Sequence, residues 1–124
     1  MNDRELLAMA AKAGGIPGLK YRVGPCIPAA WIYDYVDAST YKTWNPLTND
    51  GNALRLAVRL RLDISFLGAI VEVCWFDEGA SAARYVEERI NDAQGECEAT
   101  RRAIVRAAAE IGATQPSKDG GGDE

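Results

Sequence analysis

Leu62-Asp63-Ile64-Ser65-Phe66-Leu67-Gly68-Ala69-Ile70-Val71-Glu72-Val73-Cys74-Trp75-Phe76 is the stretch on which the fold turns. Leu62, Ile64 and Phe66 alternate with Asp63 and Ser65, the period of a strand with one buried face. After Gly68-Ala69 the chain is apolar almost throughout from Ile70 to Phe76, as expected of a central strand. Gly68 suits the first position of a two-residue II′ turn, so the two strands read as a tight hairpin. Downstream, residues 81–90 carry two competing patterns: Ala82, Tyr85 and Arg89 at helical spacing, or Ala83, Tyr85 and Glu87 at strand spacing. The strand is the favoured reading, because Asp77-Glu78-Gly79 supplies a turn for a second hairpin.

Outward from this hairpin the period becomes helical. Residues 51–60 predict a helix with Ala53, Leu54, Ala57, Val58 and Leu60 inward, Arg55 and Arg59 outward, and Asp50 placed to cap it. Before it lies a turn-rich link, Trp44 to Gly51, in which Pro46 forces Asn45 to be extended. Residues 2–13 predict a first helix, with Asn2 and Glu5 at capping-box spacing and Gly14-Gly15 as its stop. Residues 15–28 read as a loop with one edge strand, Leu19 to Val23. Residues 30–36 read as a strand with Trp31, Tyr33 and Tyr35 on one face. A last helix over residues 96–111 buries Ala103, Ile104, Ala107, Ala108 and Ile111. Gly112 is its expected terminator, and Glu98, Arg102, Arg106 and Glu110 form an outer i, i+4 ladder. The expected architecture is α+β: an antiparallel sheet of three to four strands sandwiched between helices, in helix-strand-helix-hairpin-strand-helix order. It forms one domain over residues 1–113, with residues 114–124 a disordered acidic tail.

Composition removes several classes of function. The chain has 124 residues, 48% hydrophobic, and no histidine, which excludes Ser-His-Asp and Cys-His nucleophiles, His-zinc sites and imidazole acid-base chemistry. A net charge of −4 argues against stable nucleic-acid binding. Ile64 to Val71, the longest charge-free apolar run, falls well short of the ~18 residues that suggest a membrane span. The opening Met1-Asn2-Asp3-Arg4-Glu5 lacks a secretory signal pattern. Cys26, Cys74 and Cys97 form no Cys-x-x-Cys pair, which fits a reducing cytoplasm. No cofactor and no enzymatic activity are expected.

The candidate binding residues are aromatic and arginine. Trp31, Tyr33, Tyr35, Tyr41 and Trp44 crowd into one segment and could stack a base, or could simply fill the core. Arg55 and Arg59 share a helix face and could clamp a phosphate, although any solvated helix carries such residues. Arg101 has no acid at i±4, since Cys97 and Val105 occupy those positions. The turn that holds Asn45 could offer amide groups to an anion, unless Asp50 already caps them. Asp34 and Asp63 are the carboxylates placed for acid-base work, each without a partner at readable spacing.

Trp44-Asn45-Pro46-Leu47-Thr48-Asn49-Asp50-Gly51-Asn52-Ala53-Leu54-Arg55-Leu56-Ala57-Val58 and Ala99-Thr100-Arg101-Arg102-Ala103-Ile104-Val105-Arg106-Ala107-Ala108-Ala109-Glu110-Ile111-Gly112 together resemble the hallmark segments of the phage ABA sandwich domain family, small proteins of tailed phages. The resemblance implies a sheet between helices and no established reaction. The stretch from Leu19 to Tyr41 departs from the commoner family pattern, which reaches the Trp-Asn-Pro-Leu turn sooner. On its small size without catalytic apparatus, its aromatic strand and arginines, and this resemblance together, the chain is expected to be a counter-defence accessory protein in the host bacterial cytoplasm. It would sequester a small nucleotide-type immune signal without cleaving it, through Trp31, Tyr33, Tyr35, Trp44, Asn45, Arg55, Arg59 and Arg101, and a homo-oligomer could form such pockets at its subunit interfaces. The alternative is a protein-protein inhibitor that docks on a host defence complex such as a CRISPR effector. A phosphodiesterase-like enzyme is a third reading, disfavoured by the missing histidines.

Overall fold

A computed structural model describes residues 2–15, 19–22, 30–34, 41–91 and 94–115, with the backbone alone described over 19–22, 30–34 and 41–43. The element order is α1 (Asp3–Gly14), β1 (Leu19–Arg22), β2 (Ala30–Asp34), β3 (Tyr41–Trp44), α2 (Asp50–Leu60), β4 (Asp63–Leu67), β5 (Ile70–Asp77), β6 (Ala82–Arg89) and α3 (Glu96–Thr114). The class is α+β with antiparallel pairing, as the periodicities predict. Of the expected tail, residues 114–124, Thr114 belongs to α3 and Gln115 caps it, and residues 116–124 lie outside the described residues.

β4, β5 and β6 form a meander with β5 at the centre, and residues 82–89 are a strand. Leu67 pairs with Ile70 across Gly68-Ala69, and Gly68 takes φ 67° as a II′ turn requires. The register puts Ile64, Val73 and Val86 in one row and Phe66, Val71 and Glu88 in the next, all on the inner face. α3 crosses that face against β5 and β6, while α1 and α2 pack on α3. Val71, Val73, Val105, Ala103 and Ala108 are fully enclosed. The opposite face of the sheet leaves Leu67, Phe76 and Tyr85 exposed.

α1 starts as expected. The Glu5 amide donates to Asn2 Oδ1 at 2.8 Å, and the Asn2 amide donates to Glu5 Oε1 at 3.0 Å. It ends on Gly15 in the left-handed region.

Several expectations are corrected. The strands divide into two three-stranded sheets, because the segment before α2 forms its own meander, β1-β2-β3. β3 lies mostly in a stretch to which the sequence assigns no element, ahead of the link and sharing only Trp44 with it: Lys42 and Thr43 carry no strand alternation strong enough to reveal it, and pairing with β2 supplies the order. α2 is capped by Asn49, whose Oδ1 accepts from the Asn52 amide at 2.8 Å, so Asp50 is the first helical residue. The buried stripe of α2 is Asn52, Ala53, Leu56 and Ala57, rotated from the expected one; Leu54 and Val58 are exposed, at 60% and 68%. α3 runs through Gly112 to Thr114. Gly112 is a close-approach residue: a Cβ there would lie 2.9 Å from the carbonyl carbon of Met9, so its absence lets α1 cross α3.

The outer ladder of α3 is also replaced by longer-range bonds. Arg102 Nη2 reaches Asp3 Oδ1 of α1 at 2.7 Å. Arg106 Nη1 reaches Glu88 Oε2 at 2.6 Å and the Glu87 carbonyl at 2.7 Å. Guanidinium forks extend far enough to prefer a fixed acceptor on another element over a solvated carboxylate one turn away. Arg102 and Arg106 therefore tie α3 to α1 and to β6.

Candidate functional site

The turn Trp44 to Asp50 and the first turns of α3 are far apart in sequence and joined in space. Asn45 Oδ1 accepts from the Leu47 amide at 3.0 Å, and the Asn45 carbonyl accepts from the amides of Thr48 and Asn49. This closes an Asx-type turn. Trp44 and Pro46 are buried beside it. The turn leaves the Leu47 carbonyl pointing at α3, where Arg101 Nε donates to it at 2.8 Å and Arg101 Nη1 donates to Asp50 Oδ1 at 2.6 Å. The two segments that carry the family resemblance thus meet through one guanidinium.

Beside this joint, α2, β4 and the start of α3 enclose a groove of about 500 Å³. Ala53 and Leu54 line it from α2, Ile64 and Phe66 from β4, and Glu96, Cys97, Thr100, Arg101 and Ile104 from α3, with Asp50 at its rim. Phe66 is 63% exposed because it sits on the inner face of an edge strand, beyond the cover of α3. Leu54 faces it because the α2 stripe is rotated. Most polar groups around the groove are already engaged: Arg101 with Asp50 and Leu47, and Thr100 Oγ1 with the Glu96 carbonyl at 2.7 Å. A phosphate entering here would meet Glu96 and Asp50 and would have to compete for Arg101. An apolar side chain would meet Phe66, Leu54, Ile64 and Ile104 at no such cost.

Of the expected binding residues, those whose side chains are described are engaged in structural contacts. Trp44 is only 3% exposed and belongs to the core, because the register of β3 turns it inward, out of a ligand's reach. Asn45 is spent on its own turn. Arg101 has the acidic partner that local spacing could not reveal, Asp50, supplied across the fold. Arg55 folds back so that Nη2 reaches Asn52 Oδ1 at 3.3 Å, and Arg59 lies against Gly15 at the end of α1. Trp31 pairs in register with Trp44, and Tyr33 with Lys42. The side chains of Trp31 and Tyr33, and all of Tyr35, lie outside the described residues. Asp34 pairs in register with Tyr41 and Asp63 with Cys74; neither meets a second carboxylate in its pair.

Among the described residues no three Asp, Glu or Cys side chains come together as metal ligands would. No described helix is long and apolar enough to cross a membrane. Among the described residues two ionisable groups are displaced. Burial, then the hydrogen bond and charge of Glu72, raise the thiol of Cys74 above its ordinary range. The hydrogen bond from Arg84 holds Asp77 below the usual carboxylate range.

Sequence reading missed Leu54 and Phe66 as a pair. Both are apolar residues expected inside, and only the rotation of α2 and the edge position of β4 leave them open. No family model, no curated protein and no solved structure matches the chain.

Proposed function

We propose that this chain is a non-enzymatic binding protein that docks on another protein, seating an apolar anchor in the groove between α2, β4 and α3. One observation carries the reading: a 500 Å³ groove walled by exposed Leu54 and Phe66, whose single cation is already paired. Apolar pockets flanked by satisfied polar groups are where protein hot spots sit. The setting comes from the resemblance of residues 44–58 and 99–112 to phage proteins, and it makes a component of host defence the natural target. Capture of a nucleotide signal has less support, since Trp44, Asn45 and Arg101 are all used structurally.

The test is a pair of thermal-shift titrations on the full chain. One uses an uncharged amphipathic Leu/Gln helical peptide, the other cyclic dinucleotides and cyclic ADP-ribose. The peptide at about 100 Kd should add about 2.7 kcal/mol and raise the melting temperature by several degrees. Leu54→Ser and Phe66→Ser should remove that shift. A shift from a nucleotide alone, with the ligand recovered intact after denaturation, replaces docking by capture; recovery of altered nucleotide makes the chain an enzyme.

A further inference from the structure

The sheet β4-β5-β6 has a second face, and the residues it presents follow from the register. Leu67, Ile70 and Arg89 form one row, Ser65, Glu72 and Glu87 the next, Asp63, Cys74 and Tyr85 the third, and Phe76 with Ala83 the last. At about 3.3 Å per residue the face is roughly 20 Å long from Ile70 to Phe76. Its two ends are apolar, with Leu67, Phe76 and Tyr85 all more than half exposed. Its middle is acidic. Glu72 and Glu87 stand directly opposite each other, a like-charge cross-strand pair that disfavours the sheet. Among the described residues neither carboxylate forms an ion pair, and the one partner of Glu72 is the Cys74 thiol at 3.3 Å. Arg89 is the single cation on the face and sits diagonal to Glu72, not opposite it.

We infer that this face is a docking surface for a cationic, amphipathic protein segment, whose Lys or Arg side chains meet Glu72 and Glu87 while flanking apolar side chains cover Leu67 at one end and Phe76 and Tyr85 at the other. Charge selects this occupant. A second copy of the face would set the same carboxylates against each other with only Arg89 to answer them. An anionic membrane or a nucleic acid would be repelled outright. A cation placed between Glu72 and Glu87 relieves a repulsion that the free chain carries, so the acidic row favours its partner more than isolated surface carboxylates would. The inference stands independently of the groove, which opens on the other side of β4.

Cys74 lies in the middle of the face and reports on its cover. The full chain is titrated with a fluorescent peptide of alternating Leu and Lys, and with its Leu/Glu counterpart, by anisotropy. Site-resolved iodoacetamide labelling of Cys74 is followed in parallel. The Leu/Lys peptide should bind saturably, weaken with salt and slow Cys74 labelling. The E72Q/E87Q double variant, which removes the repulsion and so folds at least as well, should lose about tenfold in affinity, the equivalent of two exposed ion pairs. E98Q/E110Q removes the same charge from α3 and should change affinity by less than about twofold. Leu54→Ser should leave the binding intact, which separates this surface from the groove. Equal binding of the Leu/Glu peptide, equal loss in E98Q/E110Q, or unchanged Cys74 labelling in the complex overturns the inference. So does Cys74 labelling in the free chain that accelerates on dilution, which would make a second copy the occupant.

Discussion

Replacing Gly112 by alanine should loosen the whole helical layer. α1 crosses α3 at this residue, and a Cβ would stand 2.9 Å from the Met9 carbonyl carbon, 3.4 Å from the Ala13 amide nitrogen, and nearer still to the Met9 oxygen. Carbon atoms prefer separations of about 3.5–4.0 Å, so the helices must part by more than about 0.6 Å. The obstacle is main chain inside a helix and cannot rotate away. Separation would also loosen Leu6, Leu7, Ala10 and Ala11, which are buried along the same contact. Overpacking costs about 1–3 kcal/mol, and a clash with backbone belongs at the upper end. Alanine returns up to about 1 kcal/mol in helix propensity, less near a helix end. The net loss is about 2 kcal/mol, or roughly 6–10 °C in melting temperature for a domain of this size. Thermal and urea unfolding followed by circular dichroism measure it. Met9→Ala should not rescue the variant, since the colliding atoms are not in the Met9 side chain. A variant that melts at or above the parent temperature, or one restored by Met9→Ala, refutes the close-approach reasoning.

Other consequences are open to measurement. Arg101→Lys should destabilise the chain by about 1–2 kcal/mol in chemical unfolding, because one ammonium cannot hold both the Leu47 carbonyl and Asp50 as the fork does. Gly68→Ala should cost about 1 kcal/mol and Gly68→Asn less; nothing crowds a Cβ there, so the penalty is the left-handed φ alone. The bond from Arg84, with help from the amides of Ala80 and Gly79, makes protonation of Asp77 harder in the folded chain than in the unfolded one. Its stabilisation is therefore complete above the unfolded value of about 3.9 and lost as pH falls through the lowered folded value. NMR titration should place the Asp77 midpoint below that of an Arg84→Met variant. Cys97 should react with iodoacetamide faster than Cys74 near neutral pH, and Glu72→Gln should narrow the difference, because Glu72 reinforces the effect of burial on the Cys74 thiol.

What the chain declares locally, it declares well. The Gly68 turn, the capping box of Asn2 and Glu5 and the alternation of the β4-β5 hairpin depend on neighbours a few residues apart, and each forms as its spacing demands. The same is true of β6, whose turn at Asp77 to Gly79 decided between two patterns. What stayed hidden depends on partners distant in sequence. Arg101 looked unpaired because its acid is on α2, and Arg102 and Arg106 looked paired within α3 because Asp3 and Glu88 are invisible to an i, i+4 count. Gly112 read as a stop because a glycine near a helix end usually is one; its actual use depends on the backbone of α1. The α2 stripe was misplaced by one helical column, since Leu54, Leu56 and Val58 are equally apolar and only packing on α3 chooses among them.

The buried helix on which α1, α2 and the strands β5 and β6 all pack follows each of them in the chain. Until residues 96–114 are available, the sheet has nothing to lay Val71, Val73 and Val86 against, and α1 has no surface for Leu6 and Leu7. A nascent chain that has emerged only to β6 is therefore a set of sticky, half-formed pieces, and its consolidation waits for the ribosome to let go of α3. Folding of these elements is therefore coupled to one helix, and damage to residues 96–114 is felt in α1, α2 and the β5-β6 pair alike.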